Sequence, residues 1–139
     1  MCFTGGFAIA AAVEPAVLAP VASQPSVPFP VSARHRADLG VSDGERDAVA
    51  ARVRDEGLCL LGLRFSADSA SPATRFEALQ ARFGDGFRVI ELDSSPGNPN
   101  GFARSSHAVL THETVDRPGP AHDAREQVLA FLAERLQAG

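Results

Sequence analysis

Six consecutive residues, Leu58-Cys59-Leu60-Leu61-Gly62-Leu63, are apolar or glycine, with no polar residue at alternate positions. A strand with one wet face alternates apolar and polar side chains, so an unbroken run of strand length reads as a strand covered on both faces. Strands of that kind belong to parallel sheets enclosed by helices.

The flanking segments supply the helices. Phe3 to Val13 reads as a helix ended by Glu14-Pro15. Val17 to Val21 is a short strand-length run, and Ser23 to Pro30 is a proline-rich rigid loop. Ser42 or Asp43 caps a polar-faced helix to about Asp55, which Gly57 ends. Ser71-Pro72 opens a helix with Phe76, Leu79 and Phe83 on one face, and Gly84 and Gly86 close it. Phe87 to Leu92 alternates as a strand, Asp93 to Gly101 is turn chemistry, and Ala121 to Leu136 is a final helix with Val128, Leu129, Leu132 and Leu136 at helical spacing. The order is that of an α/β fold with about three mainly parallel strands flanked by helices, in one domain spanning 1–139. So narrow a sheet leaves both edges open and one face poorly covered, which suggests half of a larger sheet and favours self-association.

Composition removes several function classes. Hydrophobic residues make up 45% and charged residues 22%, an ordinary globular balance. The net charge of −4 and the absence of a basic stripe exclude nucleic acid and anionic membranes as expected partners. Glu14-Pro15 interrupts the N-terminal apolar stretch well short of the roughly 20 residues that a membrane span needs. No basic residue precedes that stretch, so it also lacks the layout of a secretory signal. Cys2 and Cys59 form no disulfide framework and no zinc spacing, which fits a cytoplasmic chain without metal or cofactor.

Cys2 lies before two close glycines and a helix-forming segment, in the layout of a nucleophile elbow. A cysteine nucleophile needs a base, and the base needs an orienting acid. Asp68 follows the strand Leu58 to Phe65, and His107 lies in the loop after Phe87 to Leu92, so nucleophile, acid and histidine come in the order of α/β hydrolases. Other candidates read as structural: Cys59 as core, His35 and His122 as exposed, and His112 with Glu113 as a surface pair without the HExxH pattern. The loop from Gly97 to Gly101 lacks the Gly-Lys-Ser/Thr of a phosphate loop.

Three segments carry a resemblance. Met1-Cys2-Phe3-Thr4-Gly5-Gly6 resembles the elbow of the dienelactone hydrolase family. Leu61 to Asp68, with Pro72 and Arg75-Phe76, resembles its strand and acid loop, and Ser94 to Asn98 through Ser106 to Thr111 resembles the approach to its histidine. The resemblance implies the C-terminal half of an α/β-hydrolase fold, beginning at the elbow, and a carboxylic ester or lactone hydrolase using a Cys2–His107–Asp68 triad. The Phe3 backbone N–H would be one oxyanion donor, the second coming in that superfamily from an earlier strand's loop. Apart from the resemblance, Arg104, three residues before His107, is a candidate for meeting a substrate carboxylate, its alternative being a solvent-facing loop arginine. A chain that starts at the elbow is expected to be truncated, poorly stable and weakly active or inactive alone. Two alternatives stand beside this: a non-catalytic α/β module binding a protein through an exposed sheet edge, and one half of a split hydrolase completed by an N-terminal half.

Overall fold

The computed structural model describes residues 2–112 and 118–137. Its centre is a three-stranded parallel sheet in the order β1 (Val21–Ser23), β2 (Leu60–Phe65), β3 (Phe87–Leu92). Val21 registers with Leu61 on one side of β2, and Leu60 registers with Phe87 on the other.

Every residue of β2 is buried, as its unbroken apolar run requires. Successive side chains point to opposite faces, and two apolar clusters result. Leu60 joins Ile9, Ala12, Val49, Phe76, Leu79, Phe83 and Phe87 on one face, under α1 (Phe7–Ala11), α3 (Asp43–Glu56) and α4 (Ala73–Phe83). Leu61, Leu63 and Phe65 join Leu92, Val109, Ala124, Val128 and Phe131 on the other, under α5 (Pro120–Gln137). Both faces are therefore covered, against the expectation of one poorly covered face, while the outer edges of β1 and β3 are unpaired among the described residues. Gly62 lies where β2 meets the first layer, and a Cβ there would stand 2.6 Å from the Phe87 ring and 2.8 Å from that of Phe76.

Local chemistry moves some boundaries. The first strand begins at Val21 rather than Val17, after Pro20, which cannot donate to a ladder and instead accepts from the Leu61 N–H at 3.0 Å. The second begins at Leu60 because Gly57, at φ 69°, ends α3 and the Leu58 N–H turns back to the Arg52 carbonyl. The start of α3 is a capping box between Ser42 and Glu45. A short helix α2 (Ala33–Ala37), capped by Ser32 and without a buried face, follows the proline-rich loop. In α5, Ala121, Ala124, Val128 and Phe131 form the buried stripe, while Leu129 and Leu136 are exposed. One residue turns a helix by about 100°, so a neighbour of Val128 cannot share its face.

Arg52 joins two helices of the first layer. Its guanidinium donates to the carbonyls of Ala12, Glu14, Pro15 and Val17, in the turn that follows α1. The apolar N-terminal segment is thus held by its buried Ile9 and by this cation on α3.

Candidate active site

The three strands are parallel, so their C-terminal ends lie together, the rim where open α/β sheets bind ligands. Asp68 follows β2 and His107 follows β3 on that rim. Cys2 meets them through the loop that follows β1, since its carbonyl accepts from the Ser26 N–H at 3.2 Å.

Cys2 has φ 55°, a left-handed conformation that costs a side-chain-bearing residue on the order of 1–2 kcal/mol. Gln24, at φ 36°, is the other non-glycine residue with positive φ among those described, and it turns the chain after β1. Both outliers sit at the same corner, a pattern found at functional sites. Gly5 fits the corner by its size: a Cβ there would stand 2.8 Å from Pro25 Cα and 2.9 Å from the Ser23 carbonyl oxygen, both backbone. The glycines stand three and four residues beyond Cys2, so Thr4 occupies the place two beyond the nucleophile where a hydrolase elbow carries glycine. The expected continuous helix from Phe3 is a 3₁₀ segment over Cys2–Gly6 followed by the five-residue α1. Its dipole is correspondingly small.

The sulfur instead has specific partners. Cys2 Sγ is 3.0 Å from His107 Nε2, and His107 Nδ1 is 2.6 Å from Asp68 Oδ2. The second carboxylate oxygen of Asp68 accepts the N–H groups of Ala70 and Ser71 at 2.9 and 3.3 Å, so the acid is fixed before it meets the histidine. Ser26 Oγ lies 3.5 Å from the sulfur on the other side. The Ser26 contact, then the His107 contact, hold the Cys2 thiol below its ordinary range, helped by the Phe3 backbone N–H and opposed by burial. Burial alone would push His107 down, yet its bonds to Cys2 and Asp68 and their charges raise it above the usual histidine value. Both shifts favour the charged forms, thiolate at Cys2 and imidazolium at His107.

Two braces that sequence reasoning missed position these loops. Ser66 and Ser94 bridge the two loops with their hydroxyls: the Ser94 N–H donates to Ser66 Oγ at 3.0 Å, and the Ala67 N–H donates to Ser94 Oγ at 3.1 Å. They tie the acid loop to the histidine loop. Arg75, with no solvent exposure, donates to the carbonyls of Pro25, Pro28, His35 and Asp38 and so holds the Ser26 loop. Burial pushes its guanidinium pKa down, with nearby Asp38 opposing. Only the Ser-Pro-rich composition around Ser26 hinted at a rigid loop; nothing in the sequence marked Arg75 as its clamp.

The chain matches no protein-family model, no curated protein and no solved structure. The residues must therefore speak through their own geometry. Cys2, Asp68 and His107 come together, and the Phe3 N–H faces the sulfur. Arg104 does not join them: it is exposed and has no hydrogen-bond or ion-pair partner among the described residues. Cys59 is buried core and His35 exposed as expected, whereas His122 is half-buried. His112 is exposed, and Glu113 falls outside the described residues. No group of three or more metal-ligating side chains occurs among the described residues. None of their helices is long and apolar enough to cross a membrane. A groove of about 310 Å³ between β3 and α5, lined by Arg88, Val89 and Phe131, contains none of the triad residues.

Proposed function

We propose that this chain is an acyl hydrolase of the dienelactone-hydrolase kind, acting on carboxylic esters or lactones through Cys2, His107 and Asp68. The observation that carries the reading is the relay from Cys2 Sγ to His107 at 3.0 Å and from His107 to Asp68 at 2.6 Å. A nucleophile, a base and an orienting acid stand in that relation in triad enzymes of unrelated folds.

The Cys2 thiolate attacks the acyl carbon and the carbonyl electrons move to oxygen, where the Phe3 N–H receives the charge. The adduct collapses, the C–O bond breaks, and the departing oxygen takes the proton held on His107 Nε2. Water then loses a proton to Nε2 and attacks the thioester, releasing the acid and returning the sulfur to thiolate. Asp68 keeps the imidazole in the productive tautomer and stabilises its cationic form. The Phe3 N–H supplies one oxyanion donor, and each such donor is worth about 10²–10³ in rate. Such a hydrolase needs no cofactor and would act in the cytoplasm on a small-molecule ester.

The test is release of 4-nitrophenol from its acetate and butyrate esters. Turnover that disappears in both Cys2→Ala and His107→Ala, with circular dichroism unchanged, supports the reading; turnover indifferent to Cys2 overturns it. A second reading rests on the outer edge of β1, unpaired among the described residues, and on the exposed cluster of Phe3, Phe7 and Phe29. A protein partner, including a separately encoded N-terminal half, would pair with that edge. A non-catalytic module predicts that alkylating Cys2 leaves partner binding unchanged, whereas a split enzyme predicts activity only in the mixture.

A further inference from the structure

We propose that Ser26 is a fourth chemical member of this site, its hydroxyl holding the Cys2 thiolate at rest and moving to the substrate oxyanion once sulfur bonds to the acyl carbon. The proposal rests on the hydrolase reading for its second half. Ser26 is only 3% exposed, and its Oγ is 3.5 Å from Cys2 Sγ, within reach of a sulfur hydrogen bond. Its N–H donates to the Cys2 carbonyl at 3.2 Å, so two contacts link residues 24 apart in the chain.

The loop that carries Ser26 is not free to drift. Arg75 binds the carbonyls of Pro25 and Pro28, on either side of it, at 2.6 and 2.5 Å. Pro25 Cα also packs against Gly5 so closely that a Cβ there would collide. The hydroxyl is thus presented to the sulfur by rigid backbone, as a preorganised donor must be.

The same position serves the developing charge. In the tetrahedral adduct the oxyanion is bonded to the carbon that sulfur has attacked. A hydroxyl that reaches Sγ reaches that oxygen by rotating about its own Cα–Cβ bond, and the sulfur, now a thioether-like centre, no longer attracts it. Together, the Phe3 N–H and the Ser26 hydroxyl form a two-donor hole, one donor from backbone and one from a side chain.

The experiment compares wild type with Ser26→Ala and Ser26→Thr, the latter keeping the hydroxyl. Cys2 alkylation by iodoacetamide is followed against pH, and steady-state turnover is measured with 4-nitrophenyl acetate. Ser26→Ala should move the alkylation midpoint towards the ordinary thiol value and lower kcat about 10²–10³-fold with little change in KM. Ser26→Thr should restore both. A midpoint and a kcat unchanged in a folded Ser26→Ala variant would overturn the proposal, and a shifted midpoint with unchanged kcat would overturn its oxyanion half. If wild type shows no Cys2-dependent turnover, the hydrolase reading and the oxyanion role fail together, while the alkylation midpoint still decides whether Ser26 holds the thiolate.

Discussion

Replacing Arg75 with leucine removes a cation that binds four backbone carbonyls from the middle of the fold. The donors lie 2.6 Å from Pro25, 2.5 Å from Pro28, 2.8 Å from Asp38 and 3.0 Å from His35. A hydrogen bond from a charged donor is worth about 1.5–3 kcal/mol, and a buried carbonyl left without one costs about 1–3 kcal/mol. The bond to Pro25 is fully buried, so its acceptor cannot turn to water; the other three are partly buried and rehydrate in part. Leucine recovers some energy by sparing the desolvation of guanidinium. The expected net loss is about 3–5 kcal/mol, a large share of the roughly 5–15 kcal/mol available to a domain. For a domain of this size that corresponds to a fall in Tm of about 10–20 °C. Arg75→Lys should lose at least half as much, because an ammonium group has three donors and cannot reach all four carbonyls. Thermal unfolding followed by circular dichroism reads both variants, and the Cys2 alkylation profile reads the loop. A loss below about 1 kcal/mol for Arg75→Leu, with an unaltered alkylation profile, would refute the view that this residue clamps the Ser26 loop.

Three further outcomes follow from the same geometry. Asp68→Asn should leave the fold intact but lower kcat for 4-nitrophenyl acetate by roughly 10⁴, as the wrong histidine tautomer does elsewhere; a loss under tenfold would deny Asp68 its orienting role. Because Cys2 is held below the ordinary thiol range and His107 above the usual histidine value, the thiolate–imidazolium form should populate a window open on both sides. Turnover should therefore rise at a pH below the free thiol value of about 8.5, and fall only at a pH above about 6.5, where free imidazolium loses its proton. An acid limb at the ordinary thiol value would show that the pair does not form. Gly5→Ala should destabilise by about 1–3 kcal/mol, since its Cβ meets backbone rather than movable side chains, and should slow Cys2 alkylation as the corner shifts. Unchanged unfolding in that variant would show that the corner yields.

The sheet was legible because its signals are local. The apolar run around Leu60 and Leu61 required two covered faces, Gly57 supplied the αL stop before it, and Ser42 with Glu45 supplied a capping box. Boundaries moved where a donor was absent or diverted, as at Pro20 and Leu58. The order Cys2, Asp68, His107 could be read along the chain, and Asp68 and His107 follow strands that end at one rim, but Cys2 reaches that rim only through its contact with the Ser26 loop. What the sequence hid was long-range and polar. Arg75 is 50 residues from the Pro25 carbonyl it binds, and Ser66 is 28 from Ser94. A buried arginine reads like any surface arginine, since the acceptors that hold it are backbone carbonyls carrying no residue signature. Arg104 shows the converse, a side chain suited to carboxylate recognition that stays in solvent.

The most direct test of the Cys2–His107–Asp68 account is intact-mass analysis after rapid mixing with 4-nitrophenyl acetate and acid quench. The account predicts one acetyl group carried by Cys2 in wild type, no such adduct in Cys2→Ala, and strongly slowed labelling in His107→Ala. Acetylation that spreads over surface residues and survives unchanged in Cys2→Ala would contradict it.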